Sequence, residues 1–198
     1  MPRKESLMRN INPGMLYRRA DLCAFSTSVD RHLAQLVREG KLQKVSAGLY
    51  LNPQVTKWGM RPAEDKALVR GFLKDDRFLM FSYSSYNSLG LGTTQLYNHT
   101  VVYNCKRHGQ FKLGGRTFDF RRRPDFPTKF DRETLLVDML NNLSDLAENQ
   151  EMVLTTLEKK LSNFDKSKLE VAAKLYGKVG TKKYLGKLLH GKKIPSSR

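Results

Sequence analysis

The stretch that most constrains the fold is residues 28–51. Val29, Leu33, Leu36 and Val37 recur at i, i+4, i+7 and i+8, one apolar stripe at helical period. Gly40 follows as a helix stop. The period then changes. Leu42-Gln43-Lys44-Val45-Ser46 alternates apolar and polar, as a half-buried strand does. Ala47-Gly48 is a tight turn, and Leu49-Tyr50-Leu51 is a second strand ended by Asn52-Pro53. Upstream, Arg3 to Asn10 predicts a short amphipathic helix with Leu7 and Ile11 on one face, broken by Asn12-Pro13-Gly14. Met15-Leu16-Tyr17 is a short extended run, and Arg18 to Phe25 reads as a second helix. Ser26-Thr27-Ser28 offers three side chains able to cap the helix beyond.

Helix, short connection, helix and two-stranded hairpin within the first sixty residues is the order of a winged helix-turn-helix, which places the second helix of the pair in the DNA major groove. At about 100° per residue, Arg31, Gln35 and Arg38 point away from the apolar stripe, with Thr27, Ser28 and Ala34 beside them. Arginine and glutamine make bidentate bonds to guanine and adenine edges. Lys41 and Lys44 fall at the wing and Arg18 and Arg19 open the preceding helix, all in range of phosphates on this reading. A polar solvent face is also the commonest property of an amphipathic helix, and a winged helix also serves protein contacts. Charge favours nucleic acid. The chain carries 36 Lys+Arg against 19 Asp+Glu, a net +17, and such a surface attracts polyanions, duplex or single-stranded, with an anionic membrane face as the competitor.

The chain's 198 residues suffice for one compact domain or a small and a medium one. The expected division is a DNA-binding domain over 1–54, an α+β domain over 61–190 and a basic tail over 191–198, with Asn52-Pro53 to Arg61-Pro62 as the boundary. In the second part, Arg61 to Lys74 reads as helix, with Ala63, Ala67, Leu68 and Phe72 on its apolar face. Phe78–Phe81, Thr100–Asn104, Gln110–Leu113 and Arg116–Phe120 read as strands, the last two joined by Gly114-Gly115. Ser84 to Leu89 is a short helix that Ser82 or Ser84 caps. From Arg132 onward the pattern is helical. The fold class is therefore α+β, a winged helix-turn-helix domain followed by a mixed domain with a helical C-terminal part. Arg121, Arg122 and Arg123 at a strand end, with Lys106, Arg107 and His108 nearby, form either a second phosphate-binding patch or a solvated loop, and Lys182 and Lys183 in the lysine-rich last helix are candidates to join it.

No apolar run approaches the length of a membrane span, and no apolar stretch follows the N-terminal charges as a secretory signal requires. Cys23 and Cys105 lie far apart in hydrophobic surroundings, which predicts reduced, buried thiols and a cytoplasmic protein. No cofactor is expected: Gly90-Leu91-Gly92 lacks the third glycine of a dinucleotide fingerprint and there is no P-loop. No metal is expected: His99, Cys105 and His108 do not have the spacing of a zinc site. Ser82, Ser84 and Ser85 have no activating partners in a motif, and Asp75-Asp76, being adjacent, point in different directions. An enzyme is not expected.

Residues 15–52 resemble the N-terminal domain of the AbiEi-like antitoxins of abortive-infection toxin–antitoxin systems. The shared features are a helix ending Leu33-Ala34-Gln35-Leu36-Val37-Arg38-Glu39-Gly40, a basic strand, and Gly48-Leu49-Tyr50 closing the wing. The segment from Phe81 through Leu89-Gly90-Leu91 to Thr94-Gln95 is similar to the region after the first strand of the family's C-terminal domain, and Val101–Asn104 and Gly115–Arg122 to its next strands. The resemblance runs over about residues 15–190. It implies an autorepressor whose N-terminal domain binds repeats in its own promoter. It also implies a C-terminal domain that counteracts a nucleotidyltransferase-like toxin without a stable complex. A basic RNA-binding or ribosome-associated protein, and a module that binds a toxin directly, are the alternative expectations.

Overall fold

The computed structural model of the protein describes residues 4–191; Arg3 of the expected first helix and positions 192–198 of the expected tail lie outside the described residues. The chain is a mixture of α-helices and β-strands in several small sheets. It divides into two compact units. One comprises residues up to Arg77 together with Lys106–Phe120, the other Phe78–Cys105 together with the residues from Arg121 onward.

In the first unit, α1 (Lys4–Arg9), β1 (Leu16–Arg18), α2 (Arg19–Leu22) and a 3-10 turn (Cys23–Phe25) lead into α3 (Val29–Arg38). β2 (Gln43–Ser46) and β3 (Leu49–Leu51) form the hairpin expected from the alternation, and β1 adds to it, giving the antiparallel order β1-β3-β2. Tyr50 pairs with Tyr17 on one side and Lys44 on the other. Leu7, Ile11, Leu22, Val29, Leu33, Leu36 and Leu42 make one buried cluster, so α1, α2 and α3 share a single apolar interior. Asn52, read from sequence only as a strand end, is buried. Its side chain donates to the Ile11 carbonyl (3.2 Å), and its own carbonyl accepts from the Gly14 N–H (2.6 Å), which ties the turn after α1 to the end of β3.

The stretch that looked like a linker is itself a hairpin, β4 (Gln54–Thr56) and β5 (Gly59–Arg61), with every residue exposed. Helix α4 (Asp65–Leu73) is shorter than the spacing suggested, and it buries Leu68, Val69 and Leu73, a face rotated from the expected one. β8 (Gly109–Leu113) and β9 (Arg116–Arg122) are joined by Gly114-Gly115, at φ 56° and 86°, the two positive values a two-residue type I′ turn requires. The Gly114 N–H donates to the Val45 carbonyl (2.9 Å), which docks this turn on β2 where the ladder is irregular.

In the second unit, β6 (Phe78–Phe81) pairs with β7 (Thr100–Asn104), and a 3-10 segment, Tyr83–Leu89, is capped by Ser82, whose hydroxyl accepts from the Ser84 N–H. Helices α5 (Arg132–Asn141), α6 (Gln150–Lys160), α7 (Lys166–Tyr176) and α8 (Val179–His190) follow. α5 is buried almost all round and is the central element: Leu135, Leu136, Val137, Asp138, Met139 and Asn141 are all removed from solvent. Asp131, Asn149 and Asp165 cap α5, α6 and α7 through N–H groups three residues on, at 2.7, 3.0 and 3.1 Å.

Both cysteines are free thiols and both are exposed, which corrects the expectation that they are buried. Leu22 is the inward residue where α2 passes into the 3-10 turn, leaving Cys23 outward, and Cys105 stands one residue past the buried end of β7. Among the described residues no helix is long and apolar enough to cross a membrane. Leu33 is fully buried in the interior shared by α1, α2 and α3. Leu33→Ala should therefore cost about 2–5 kcal/mol of stability in chemical denaturation, and a loss below about 1 kcal/mol would contradict this core assignment.

Candidate nucleic-acid interface

Helix α3 is oriented by what it buries. Val29, His32, Leu33 and Leu36 face inward. His32 extends the stripe beyond the aliphatic residues because it has a partner: its Nδ1 lies 2.8 Å from the Ser26 hydroxyl, and both groups are buried. The Ser26 oxygen also accepts from the Ser28 N–H (3.2 Å). Of the three candidate capping residues it is thus Ser26 that organises the helix start, while Ser28, at the capping position, makes no side-chain cap bond. No apolar periodicity marks a buried His–Ser pair, so sequence reasoning missed it.

Burial of that stripe leaves Arg31, Gln35 and Arg38 exposed, within about 60° of one another around the axis. Their side chains make no hydrogen bond or ion pair with any described residue. Thr27 is exposed ahead of them and Ser28 half-buried. Lys44 is exposed on β2 and likewise unpaired, whereas Lys41 lies 3.1 Å from the Glu39 carboxylate.

Arg18 and Arg19 each have a partner within the first unit. The Arg18 Nε donates to the carbonyl of Gly71 (3.3 Å). Arg19 grips Asp30, in the first turn of α3, through both Nε (2.6 Å) and Nη2 (2.5 Å), the forked geometry in which arginine binds carboxylate best. Hydrogen bonding from Arg19 holds the Asp30 carboxyl below its ordinary range. The pair fastens α2 to α3.

The arginine run of the second unit is not one patch. β9 alternates, so Arg122 points to solvent while Arg121 and Arg123 turn the other way. Arg123 donates to Asp138 (3.2 Å) and to Asn142 (3.1 Å), with its guanidinium 4.0 Å from the Tyr103 ring centroid. Arg121 bonds Asp145 (3.0 Å) and lies over Tyr83. Asp138 also accepts from the Tyr86 hydroxyl (2.7 Å) and the Tyr103 hydroxyl (2.9 Å). The Asn142 amide donates to both tyrosine oxygens, at 3.1 and 3.0 Å. Burial pushes the Asp138 carboxyl up, against the opposing pull of Arg123 and the tyrosine hydroxyls. Burial, reinforced by the Asp138 charge, pushes the Tyr86 and Tyr103 hydroxyls up as well, so both stay protonated and donate. The expected patch at Arg121, Arg122 and Arg123 is therefore not one face: Arg123 serves the interior network, Arg121 pairs with Asp145 nearer the surface, and Arg122 points to solvent. Lys182 and Lys183 are exposed on α8. Lys106, offered as an extension of the patch, belongs to the first unit, where it bonds Asp75 (3.0 Å) and the Lys74 carbonyl (2.9 Å).

Among the described residues no cluster of three or more His, Cys, Asp or Glu side chains is placed to hold a metal. Compared with known proteins, the chain matches no family model and has no significant match among curated proteins.

Arg122→Ala and Arg123→Ala separate the two roles within one strand. Arg123→Ala leaves a buried carboxylate and two hydroxyls without their cation and should cost about 3–5 kcal/mol in thermal or denaturant unfolding. Arg122→Ala should stay within about 0.5 kcal/mol of the parent. Equal small effects would contradict the network.

Proposed function

We propose that the protein is a DNA-binding autorepressor of the antitoxin type, in which α2, α3 and the β1–β3 sheet act as a winged helix-turn-helix. The observation that carries this reading is the outward face of α3, where Arg31, Gln35 and Arg38 stand exposed and unpaired on a helix locked from behind. Their chemistry suits base edges for Arg31 and Gln35 and phosphate for Arg38, with Lys44 of β2 as a further phosphate contact. Support also comes from the net charge of +17 and from the resemblance of residues 15–52 to the N-terminal domain of the AbiEi-like antitoxins. Under this reading Arg18 and Arg19 lie in range of phosphates while each also braces the domain, through Gly71 and Asp30.

For the part of the chain read from sequence as the C-terminal domain, 61–190, the resemblance of residues 81–95, 101–104 and 115–122 supports a role against a nucleotidyltransferase-like toxin, without a stable complex. Co-expression with the product of an adjacent gene should relieve that product's toxicity while the two proteins fail to co-purify. Toxicity unchanged by co-expression would remove the antitoxin half of the proposal. A stable complex would instead make this part of the chain a direct toxin-binding module.

The α3 assignment is tested by footprinting and equilibrium binding on the upstream region of the protein's own gene. Arg31→Ala should cost about 1–3 kcal/mol and relax preference at one base position, as loss of a bidentate contact does. Lys44→Ala should weaken all sequences alike and lower the salt slope by about one. Unchanged affinity and specificity in Arg31→Ala would overturn the groove assignment. Tighter binding of RNA than of duplex DNA in competition would favour the RNA-binding alternative.

A further inference from the structure

The β4–β5 hairpin has no role in the reading above, and its composition is unusual for a solvent-exposed connection. Its tip carries the protein's one tryptophan, Trp58, 87% exposed, with Val55 and Met60 at 75% and 61%. Val55 and Met60 lie directly opposite each other in the ladder. The tip is held in place: Thr56 Oγ1 donates to the Gly59 carbonyl (2.8 Å) and accepts from the Trp58 N–H (3.2 Å). Gly59 sits at φ 106°, a value that side-chain-bearing residues rarely adopt. The Lys57 ammonium lies 5.2 Å from the indole centroid. An indole displayed on a braced turn offers a flat apolar face for stacking, and the lysine ammonium beside it offers a charge for an anion.

Charge selects among partners. From Gly40 to Ala63 the sequence holds no acidic residue; Lys41 and Arg61 pair with Glu39 and Glu64 at its edges (3.1 and 3.7 Å), while Lys44 and Lys57 make no ion pair with any described residue. A second copy of the chain is a poor occupant, because strands of three residues supply far less than the roughly 800 Å² per partner of a stable interface. A nucleic acid satisfies both features at once, since phosphates answer the lysines and every base has a π-face. We infer that the β4–β5 hairpin is a second nucleic-acid contact in which Trp58 stacks on a nucleobase outside the duplex stack, at a strand end or an opened step, while Lys57 takes the adjoining phosphate. The inference rests on the proposal that the first unit binds DNA.

The single tryptophan makes the site its own reporter. The test uses the full chain and two duplexes of about 20 base pairs carrying a distant fluorophore, one blunt and one with an oligothymidine extension of about 12 nucleotides. Anisotropy of the fluorophore reads binding, and indole emission reads stacking. The extension should tighten binding about tenfold and quench Trp58 emission. Trp58→Ala should erase the gain from the extension while leaving blunt-duplex binding in place, and Trp58→Phe should restore part of it. Binding of both duplexes with unquenched emission and no effect of Trp58→Ala would overturn the hairpin site and leave the α3 reading intact. No binding of either duplex by anisotropy would overturn both. A blue-shifted, enhanced emission with anionic phosphatidylserine vesicles, without quenching by DNA, would assign the hairpin to a membrane surface instead.

Discussion

Burial of one face of α3 fixes the character of the first unit. A ten-residue helix has little intrinsic stability, so its position is decided by packing, and here Val29, Leu33 and Leu36 are inserted among Leu7, Ile11 and Leu22. Once that face is inside, the opposite face has no freedom: Arg31, Gln35 and Arg38 must point to solvent. Two polar devices then remove rotation and sliding. The buried Ser26–His32 bond anchors the first turn from within, and the Arg19–Asp30 fork clamps it from outside. On the proposed reading a helix held in this way suits side chains that enter a DNA groove, since an ordered scaffold lowers the cost of immobilising them on binding.

The second unit is organised by a different constraint. Asp138, on a central helix, is 4% exposed, and a carboxylate in such a place is costly unless its oxygens are paired. Tyr86 and Tyr103 donate to it, Arg123 supplies the charge, and Asn142 links the two hydroxyls. Because these groups come from the 3-10 segment, β7, the end of β9 and α5, satisfying one carboxylate sets the mutual positions of four parts of the chain. Arg123, at the end of β9, is therefore explained by the interior it serves.

Local periodicity made much of this fold legible. The α3 stripe, the switch to alternation at Leu42, the Gly114-Gly115 turn and the helical repeats after Arg132 all appear where their spacing places them. Three features did not follow from spacing. Arg121-Arg122-Arg123 reads as a block of charge, yet strand alternation splits it, and only distant partners, Asp145 for Arg121 and Asp138 with Asn142 for Arg123, reveal why two members turn away from Arg122. Arg18 and Arg19 look like unpartnered cations because their partners, Gly71 and Asp30, lie 53 and 11 residues away. Residues 54–61 look like a linker because strands of three residues are too short to show a period. In each case the missing information is a long-range polar partner or a short element, and neither leaves a trace in a hydrophobic pattern.

We propose that the outward face of α3 reads a DNA sequence. The most direct test is equilibrium binding of the purified protein to about 150 base pairs upstream of its own gene, against a scrambled duplex of equal length, over a range of salt concentrations. A specific-to-scrambled ratio of about a thousandfold or more that persists at physiological salt is the predicted result. Equal, steeply salt-dependent binding to both duplexes would contradict the claim and reduce the +17 to a nonspecific polyanion surface.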